Sequence, residues 1–170
     1  MKLIFYSPAP RHPEEEARQR AVDASGFAAA LDDPELVDIV RQASALFGAP
    51  MAAISIVDQD RQWFPAEVGI GARETPRAAS FCAHAILEPD QCFTVGDASA
   101  DPRFAGNPLV LSGPNIRFYA GAPLRNAAGV PLGALCVLDD KARAVPDGDM
   151  LEKLRDLAAR AVEAAARHVG

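Results

Sequence analysis

An α+β domain built on an antiparallel sheet is the fold class that the 170-residue sequence predicts, and three observations carry it. A well-punctuated amphipathic helix is followed by a change of period to short apolar runs. Two of those runs flank an Asp-rich turn, the pattern of a β-hairpin. A long helix closes the chain. Terminal helices are expected on one face of the sheet, with short helices and loops on the other.

Residues 1–13, with Pro8, Pro10 and Pro13, read as a loose arm. Glu14 to Ala24 reads as a short helix ended by Gly26, with Glu14/Arg18 and Glu16/Arg20 spaced as favourable ion pairs. The arm and this helix make a first segment, 1–33, and the domain proper spans 34–170. Pro34 to Phe47 is the clearest helix. Asp33 can cap it, Pro34 suits its first turn and Gly48 can end it. Leu36, Ile39, Val40, Ala43, Leu46 and Phe47 form one apolar stripe between them.

Met51 to Val57 and Gln62 to Gly69 read as the hairpin. Trp63 and Phe64 would face opposite ways, so one of them should enter the core. Residues 69–80 form a loop, and Ser80 can cap a short helix from Phe81 to Leu87. Cys92 to Val95 is a short strand, followed by a long irregular stretch from Asp97 to about Asn115. Loops of that length in compact domains are usually functional. Arg117 to Leu124 and Val130 to Leu138 are two more strands. The second is apolar on both faces, as a central strand should be. Asp147 to His168 is the final helix, with Asp149 and Glu152 as its capping box. Its alanine-rich end, Ala158 to Ala166, suits close helix–helix approach, either onto its own sheet or onto a second copy.

Composition narrows function. Seventeen basic against twenty-three acidic residues give a net charge of −6, which argues against nucleic-acid or anionic-membrane binding. No apolar run approaches the ~20 residues of a membrane span. The start lacks the apolar stretch of about 7–15 residues of a secretory signal, so the expected location is the cytoplasm. Cys82, Cys92 and Cys136 are an odd, widely spaced set without a C-x-x-C, which argues against a disulfide framework.

Five blocks resemble the GAF domain as found near the N-terminus of bacterial sensor kinases and cyclic-di-GMP signalling proteins. They are FGAPMAAISIVDQDRQWF (47–64), SFCAHAI (80–86), DASADPRFAGNPLV (97–110), IRFYAGAPL (116–124) and GVPLGALCVLDD (129–140). The resemblance covers about 34–169. It implies a sensory module with a small-molecule pocket between the sheet and its loop-rich face. It also implies a homodimer through the terminal helices and a signal passed to an output domain or protein partner. No kinase, cyclase or phosphodiesterase motif lies within the 170 residues.

The candidate ligand-binding residues are Cys82, Asp97, Arg103, Phe104, Arg117 and Tyr119. Arg103 offers a planar donor fork for a carboxylate or phosphate, or else it pairs with Asp97 or Asp101 to fix its loop. Tyr119 offers a ring with one hydroxyl to a pocket wall, or else it caps the core edge. Arg117 shares its face in an alternating strand. Phe104, with Asn107 and Pro108, shapes the loop. Cys82 in the first turn of its helix has a basis for redox sensing, against a packing role. Cys82 and His84 do not share a helix face, so they make no metal site. His84 reads as a hydrogen-bonded structural residue. The cofactor and the ligand are unknown from the sequence.

Other functions compete. Some GAF proteins reduce free methionine sulfoxide through cysteines, but that family's Gly-Val-Cys-Gly context is replaced here by SFCAHAI. Its later Cys-Asp pair is also missing from 115–117. Bilin-binding GAF domains attach pigment to a Cys followed by His, whereas Cys82 is followed by Ala83. The Asn-Lys-Phe-Asp-Glu signature of cyclic-nucleotide-binding GAF domains is absent. A ligand-free docking scaffold completes the alternatives.

Overall fold

The computed structural model describes residues 3–169, so residues 1, 2 and 170 of the expected arm and domain lie outside the described residues. Five α-helices are described: α1 (Glu15–Ala24), α2 (Pro34–Phe47), α3 (Cys82–Ala85), α4 (Pro108–Leu111) and α5 (Gly148–Ala166). Six strands form one antiparallel sheet: β1 (Met51–Asp58), β2 (Arg61–Val68), β3 (Glu74–Pro76), β4 (Phe93–Val95), β5 (Phe118–Arg125) and β6 (Pro131–Asp139). Their order is β3-β2-β1-β6-β5-β4, which places β1 and β6 at the centre. No helix among the described residues is long and apolar enough to cross a membrane.

Alternation along the central strands divides the core in two. Ala52, Ile54 and Ile56 of β1, Leu135 and Val137 of β6, and Phe118, Ala120 and Ala122 of β5 face α2 and α5. Met51, Ala53 and Val57, with Ala134, Cys136 and Leu138, and with Tyr119, face α3 and the loops. In β2 the alternation breaks. Ile54 pairs with Ala66 but Ile56 pairs with Trp63, so a bulge lies at Phe64–Pro65. An extra residue in one strand shifts every later side chain to the other face. Phe64 therefore joins the loop-side core, while Trp63, Ala66 and Val68 all pack on the helix side.

The helix ends are set by local chemistry. Asp33 caps α2 by accepting from the backbone of Glu35 (2.8 Å) and Leu36 (3.3 Å), and Gly48 ends it in the left-handed region. The cap of α5 is Asp147, which accepts from Met150 N at 2.9 Å, rather than the expected Asp149. Asp147 has an extended backbone and stands outside the first turn, whereas Asp149 is already inside it. Ala158, Ala161, Ala164 and Ala165 are buried within the chain's own core. At Gly26, a Cβ would lie 2.1 Å from the Ala165 carbonyl oxygen, so a glycine is required where the chain crosses α5.

The N-terminal segment packs onto the domain rather than standing free. Ser7 N donates to Arg103 O (2.9 Å) and Gly106 N donates to Phe5 O (2.8 Å), while Val22, Phe27 and Ala30 enter the helix-side core. The expected Glu14/Arg18 pair gives way to a different one. Arg18 is fully buried, donates to both oxygens of Glu15 (2.8 and 3.0 Å), and approaches Leu132 O at 3.5 Å. Arg77 donates to the same carboxylate at 2.6 and 3.1 Å. A buried guanidinium is tolerated only when it is paired, so Glu15 ties α1 to the loop after β3.

Burial opposes ionisation of Glu15, but the hydrogen bonds from Arg18 and Arg77 outweigh it and hold its carboxyl at about 2, below the ordinary 4.5. A depressed carboxyl stabilises the fold fully above its unfolded value and loses that contribution as pH falls through the folded one. Resistance to denaturant should therefore fall between about pH 4.5 and 2 through this carboxyl. Glu15→Gln should flatten that acid limb and cost about 3 kcal/mol at pH 7, because two guanidinium groups lose their counter-charge.

Candidate functional site

The loop-facing side of the sheet carries a row of small residues. Ala53 of β1 pairs with Cys136 of β6, which pairs with Gly121 of β5. The Tyr119 ring lies down over this row. A Cβ on Gly121 would stand 2.2 Å from the Tyr119 hydroxyl, so only glycine leaves space for the ring. Tyr119 is fully buried, and its Oη lies 3.0 Å from Cys82 Sγ at the start of α3.

The short helix α3 is held in place by a chain of side chains. Ser80 Oγ accepts from Ala83 N (2.9 Å), which is the capping role expected for it, and donates to Gln62 Oε1 (2.7 Å). Ser55 Oγ donates to the same Gln62 oxygen (2.8 Å), and Gln62 Nε2 donates to Thr75 Oγ1 (2.7 Å). The network thus joins β1, β2, β3 and α3, with each hydroxyl partnered. Next to it, Phe81 stacks on Phe104 with ring centroids 4.1 Å apart, and on Tyr119 at 5.4 Å.

A cavity of about 320 Å³ opens between these groups and the loops. Cys82, Tyr119, Cys136 and Leu138 form its buried floor, and Phe64 and Phe81 stand in its walls. Its half-exposed rim is formed by Ile70 and Ala72 on one side and by Leu109 and Pro114 on the other. Gln62 and Thr75 are polar lining residues, and both are engaged in the network described above. No lining residue carries a formal charge at neutral pH.

The two floor thiols are electrostatically unequal. Burial works against ionisation of Cys82, but hydrogen bonds from Cys136, Tyr119 and Ser55 more than offset it and hold its thiol below the ordinary value. Its hydrogen bond to Cys82 and its own burial push Cys136 well up. Tyr119 is also pushed well up, by burial and by the neighbouring thiols, so its hydroxyl keeps its proton and has it to give to a Cys82 thiolate. The four-residue helix itself adds little to this bias; the three neighbours supply it.

Of the six residues expected to share a pocket, the structure brings two together, Cys82 and Tyr119. Arg103 is exposed and grips Asp101 (3.0 and 2.6 Å) while lying over the Phe93 and Phe104 rings. That is the loop-fixing arrangement, with Asp101 as the partner rather than Asp97. Asp97 accepts from Ser99 N (3.0 Å) and Oγ (2.6 Å), which caps the turn at Ala98–Ala100. Arg117 donates to Val110 O (2.9 Å) and Ile116 O (3.0 Å) and braces the loop after α4. Phe104 is buried behind Phe81, one layer away from the cavity. Short-range carbonyl and carboxylate partners captured these polar side chains before they could reach a ligand. Asn107 is buried and caps α4 through Leu109 N (2.9 Å), and its amide reaches Ala79 O (3.1 Å). His84 is held by Ser7 O at 3.1 Å, and burial lowers its basicity.

Cys136, Leu138, Gln62 and Phe64 also line the cavity, and no sequence motif marks them. Alternation in β6 puts Cys136 and Leu138 on one face, so the signal was present for those two. Phe64 needed knowledge of the bulge, and Gln62 needed the three-dimensional meeting of Ser55, Ser80 and Thr75. Gln62→Leu should leave the Ser55 and Ser80 hydroxyls without their acceptor and Thr75 Oγ1 without its donor, costing roughly 1–3 kcal/mol. The same variant should loosen α3, so that Cys82 is alkylated by iodoacetamide faster than in the parent protein. Peptide mapping after timed alkylation checks this.

Comparison with known proteins places the chain. The GAF domain model matches residues 35–169. A cyclic di-GMP phosphodiesterase of Pseudomonas aeruginosa is 49% identical over 135 residues, covering 79% of this chain and 23% of that protein. The chain thus spans under a quarter of that relative's length. A type II free methionine-R-sulfoxide reductase from Thermoplasma acidophilum superposes with a TM-score of 0.65 at 14% identity, over 85% of this chain and 97% of the other. The GAF domain of an Acinetobacter phosphoenolpyruvate-protein phosphotransferase gives a TM-score of 0.61 at 15% identity, over 89% and 90% of the two chains. At such identities these two likenesses concern the fold alone. The family match spans most of the chain and fits the six-stranded sheet, the terminal helices and the loop-side cavity: the chain belongs to the GAF domain family.

Proposed function

We propose that this chain is a sensory or regulatory GAF module whose cavity receives an uncharged, largely apolar small molecule. The observation that carries the reading is the lining: aromatic, aliphatic and thiol groups around about 320 Å³, with its amide and hydroxyl already partnered. Burying a charged group there without a counter-charge would be costly, whereas an apolar ligand gains by leaving water. Occupancy would be relayed through the sheet. Tyr119, Cys136 and Leu138 face the cavity, and their neighbours Phe118, Ala120 and Val137 pack on the helix side. A shift of β5 or β6 would therefore be felt by α2 and α5.

The likeness to a cyclic di-GMP phosphodiesterase supports a role in controlling signalling through that class of protein. The terminal helices would carry the signal to a second copy or to another protein, since their buried alanines leave the outer faces of α2 and α5 available. The free thiols suit a reducing cytoplasm. The lining argues against a methionine sulfoxide reductase role. That substrate is a zwitterion, and the cavity offers neither a cation nor an anion to hold it.

The uncharged dye N-phenyl-1-naphthylamine should gain fluorescence on addition to the protein, and a sulfonated relative of it should respond much less. Leu109→Trp, at the half-exposed rim, should block the gain while the thermal midpoint stays near that of the parent. No response to the uncharged dye, or an equal response in the Trp variant, would overturn the reading.

A further inference from the structure

We propose that Cys82 and Cys136 are an oxidisable thiol pair that reacts with an apolar organic hydroperoxide drawn into the cavity, and that it closes to a disulfide across the cavity floor. The inference rests on the apolar-ligand reading above and adds a reaction to it.

The geometry supplies each part. Both thiols line one cavity, although they come from α3 and β6, over fifty residues apart in sequence, and Tyr119 joins them: its hydroxyl meets Cys82 Sγ and lies over Gly121, the strand partner of Cys136. Both are free and almost fully buried, so solutes reach them through the cavity rather than from bulk water. Cys82 is the member favoured to ionise, and Cys136 keeps its proton. Tyr119 Oη, 3.0 Å from Cys82 Sγ, can donate a hydrogen bond to the thiolate. The thiolate, not the thiol, is the nucleophile in such chemistry. Cys92 stands apart in a separate groove beside Phe93, and burial raises it.

The reaction balances. The Cys82 thiolate attacks the terminal oxygen of R–O–O–H, so an S–O bond forms, the O–O bond breaks, and the alkoxide leaves. The alkoxide takes up the proton that Cys82 gave up and departs as the alcohol. With the negative charge on Cys82 gone, Cys136 gives up its proton as its sulfur attacks the Cys82 sulfenic acid. An S–S bond forms and water leaves with the Cys136 proton. Two thiols are oxidised by two electrons and one hydroperoxide is reduced to an alcohol and water. An apolar R group is favoured because the walls are Phe64, Phe81 and Leu138 and no charged side chain lines the cavity. A bond between α3 and β6 would also pin the short helix to the central strand, which couples oxidation to the sheet that α2 and α5 cover.

The test is oxidation of the whole protein by cumene hydroperoxide or hydrogen peroxide at equal concentration, followed by intact-mass and peptide mapping. The expected result is loss of two hydrogen masses, with a Cys82–Cys136 cross-link in the parent protein. Cys136→Ser should stop at a dimedone-trappable sulfenic acid on Cys82, and Cys92→Ser should behave as the parent. Cumene hydroperoxide should react at least about tenfold faster, since a factor of ten is ~1.4 kcal/mol and burying its aromatic group is worth more. Equal rates for the two peroxides would overturn the proposal by removing its ligand class. No Cys82–Cys136 bond, with uncharged dye still bound, would overturn it while leaving the apolar cavity reading intact. Because the cross-link is sought in the parent chain, a variant that fails to fold does not decide the outcome.

Discussion

The site depends on a steric constraint: one row across the loop-side face of the three central strands is built small. Across β1, β6 and β5 the loop-side row reads Ala53, Cys136, Gly121, and none of these fills the space above the sheet. The opposite face carries Ile54, Leu135, Val137 and Phe118 and is closed by α2 and α5. Sheet periodicity makes this division possible, because one strand sequence writes two independent surfaces. The helix-side surface is a packed core. The loop-side surface holds a cavity, with the Tyr119 ring laid flat over Gly121 and α3 seated close to the strands. Larger residues in that row would displace α3 and the ring together.

Polar interactions fix what the small residues leave room for. Gln62 collects two hydroxyl donors on one oxygen and gives its amide to Thr75, so the hairpin, β3 and the start of α3 move as one unit. Glu15 does a similar service beside the hairpin turn by holding Arg18 and Arg77, the second of which also donates to Gln59 O. Of these groups Gln62 and Thr75 line the cavity, and Glu15, Arg18 and Arg77 do not. The Gln62 cluster reaches α3 through Ser80 and so helps to seat Cys82 beside Tyr119, which is the geometry on which any chemistry of the thiols depends. The cavity floor thus stands on the central strands and the braced start of α3, while its rim, Ile70 to Ala72 and Leu109 to Pro114, is built from loops and a short helix.

The fold was largely legible because its signals are local. Asp33, Pro34 and Gly48 bracket α2 within the sequence itself, and the two-faced apolar character of Val130 to Leu138 foretold the central strand. The site was less legible, for two physical reasons. Arg103, Arg117 and Asp97 looked like ligand groups because a sequence does not show which charges are already neutralised. Asp101, the Val110 and Ile116 carbonyls and Ser99 were nearer partners than any ligand. The residues that do line the floor are apolar or weakly polar and carry no motif. Cys136 and Leu138 follow from alternation alone, but the bulge at Phe64–Pro65 inverts alternation in β2 and hid Phe64. The buried Arg18 was misassigned to Glu14 because an i, i+4 rule for exposed helices does not hold where tertiary burial selects a partner.

The central claim is that one face of this sheet packs and the other receives. Methyl-resolved NMR of the whole protein, titrated with N-phenyl-1-naphthylamine, tests it most directly. The account predicts shifts at Met51, Ile70, Ile116 and Leu138, around the cavity, and none at Ile39, Ile54 or Leu154 on the helix side beyond a small relayed change. Shifts centred on the helix-side methyls, or none at the cavity, would contradict it.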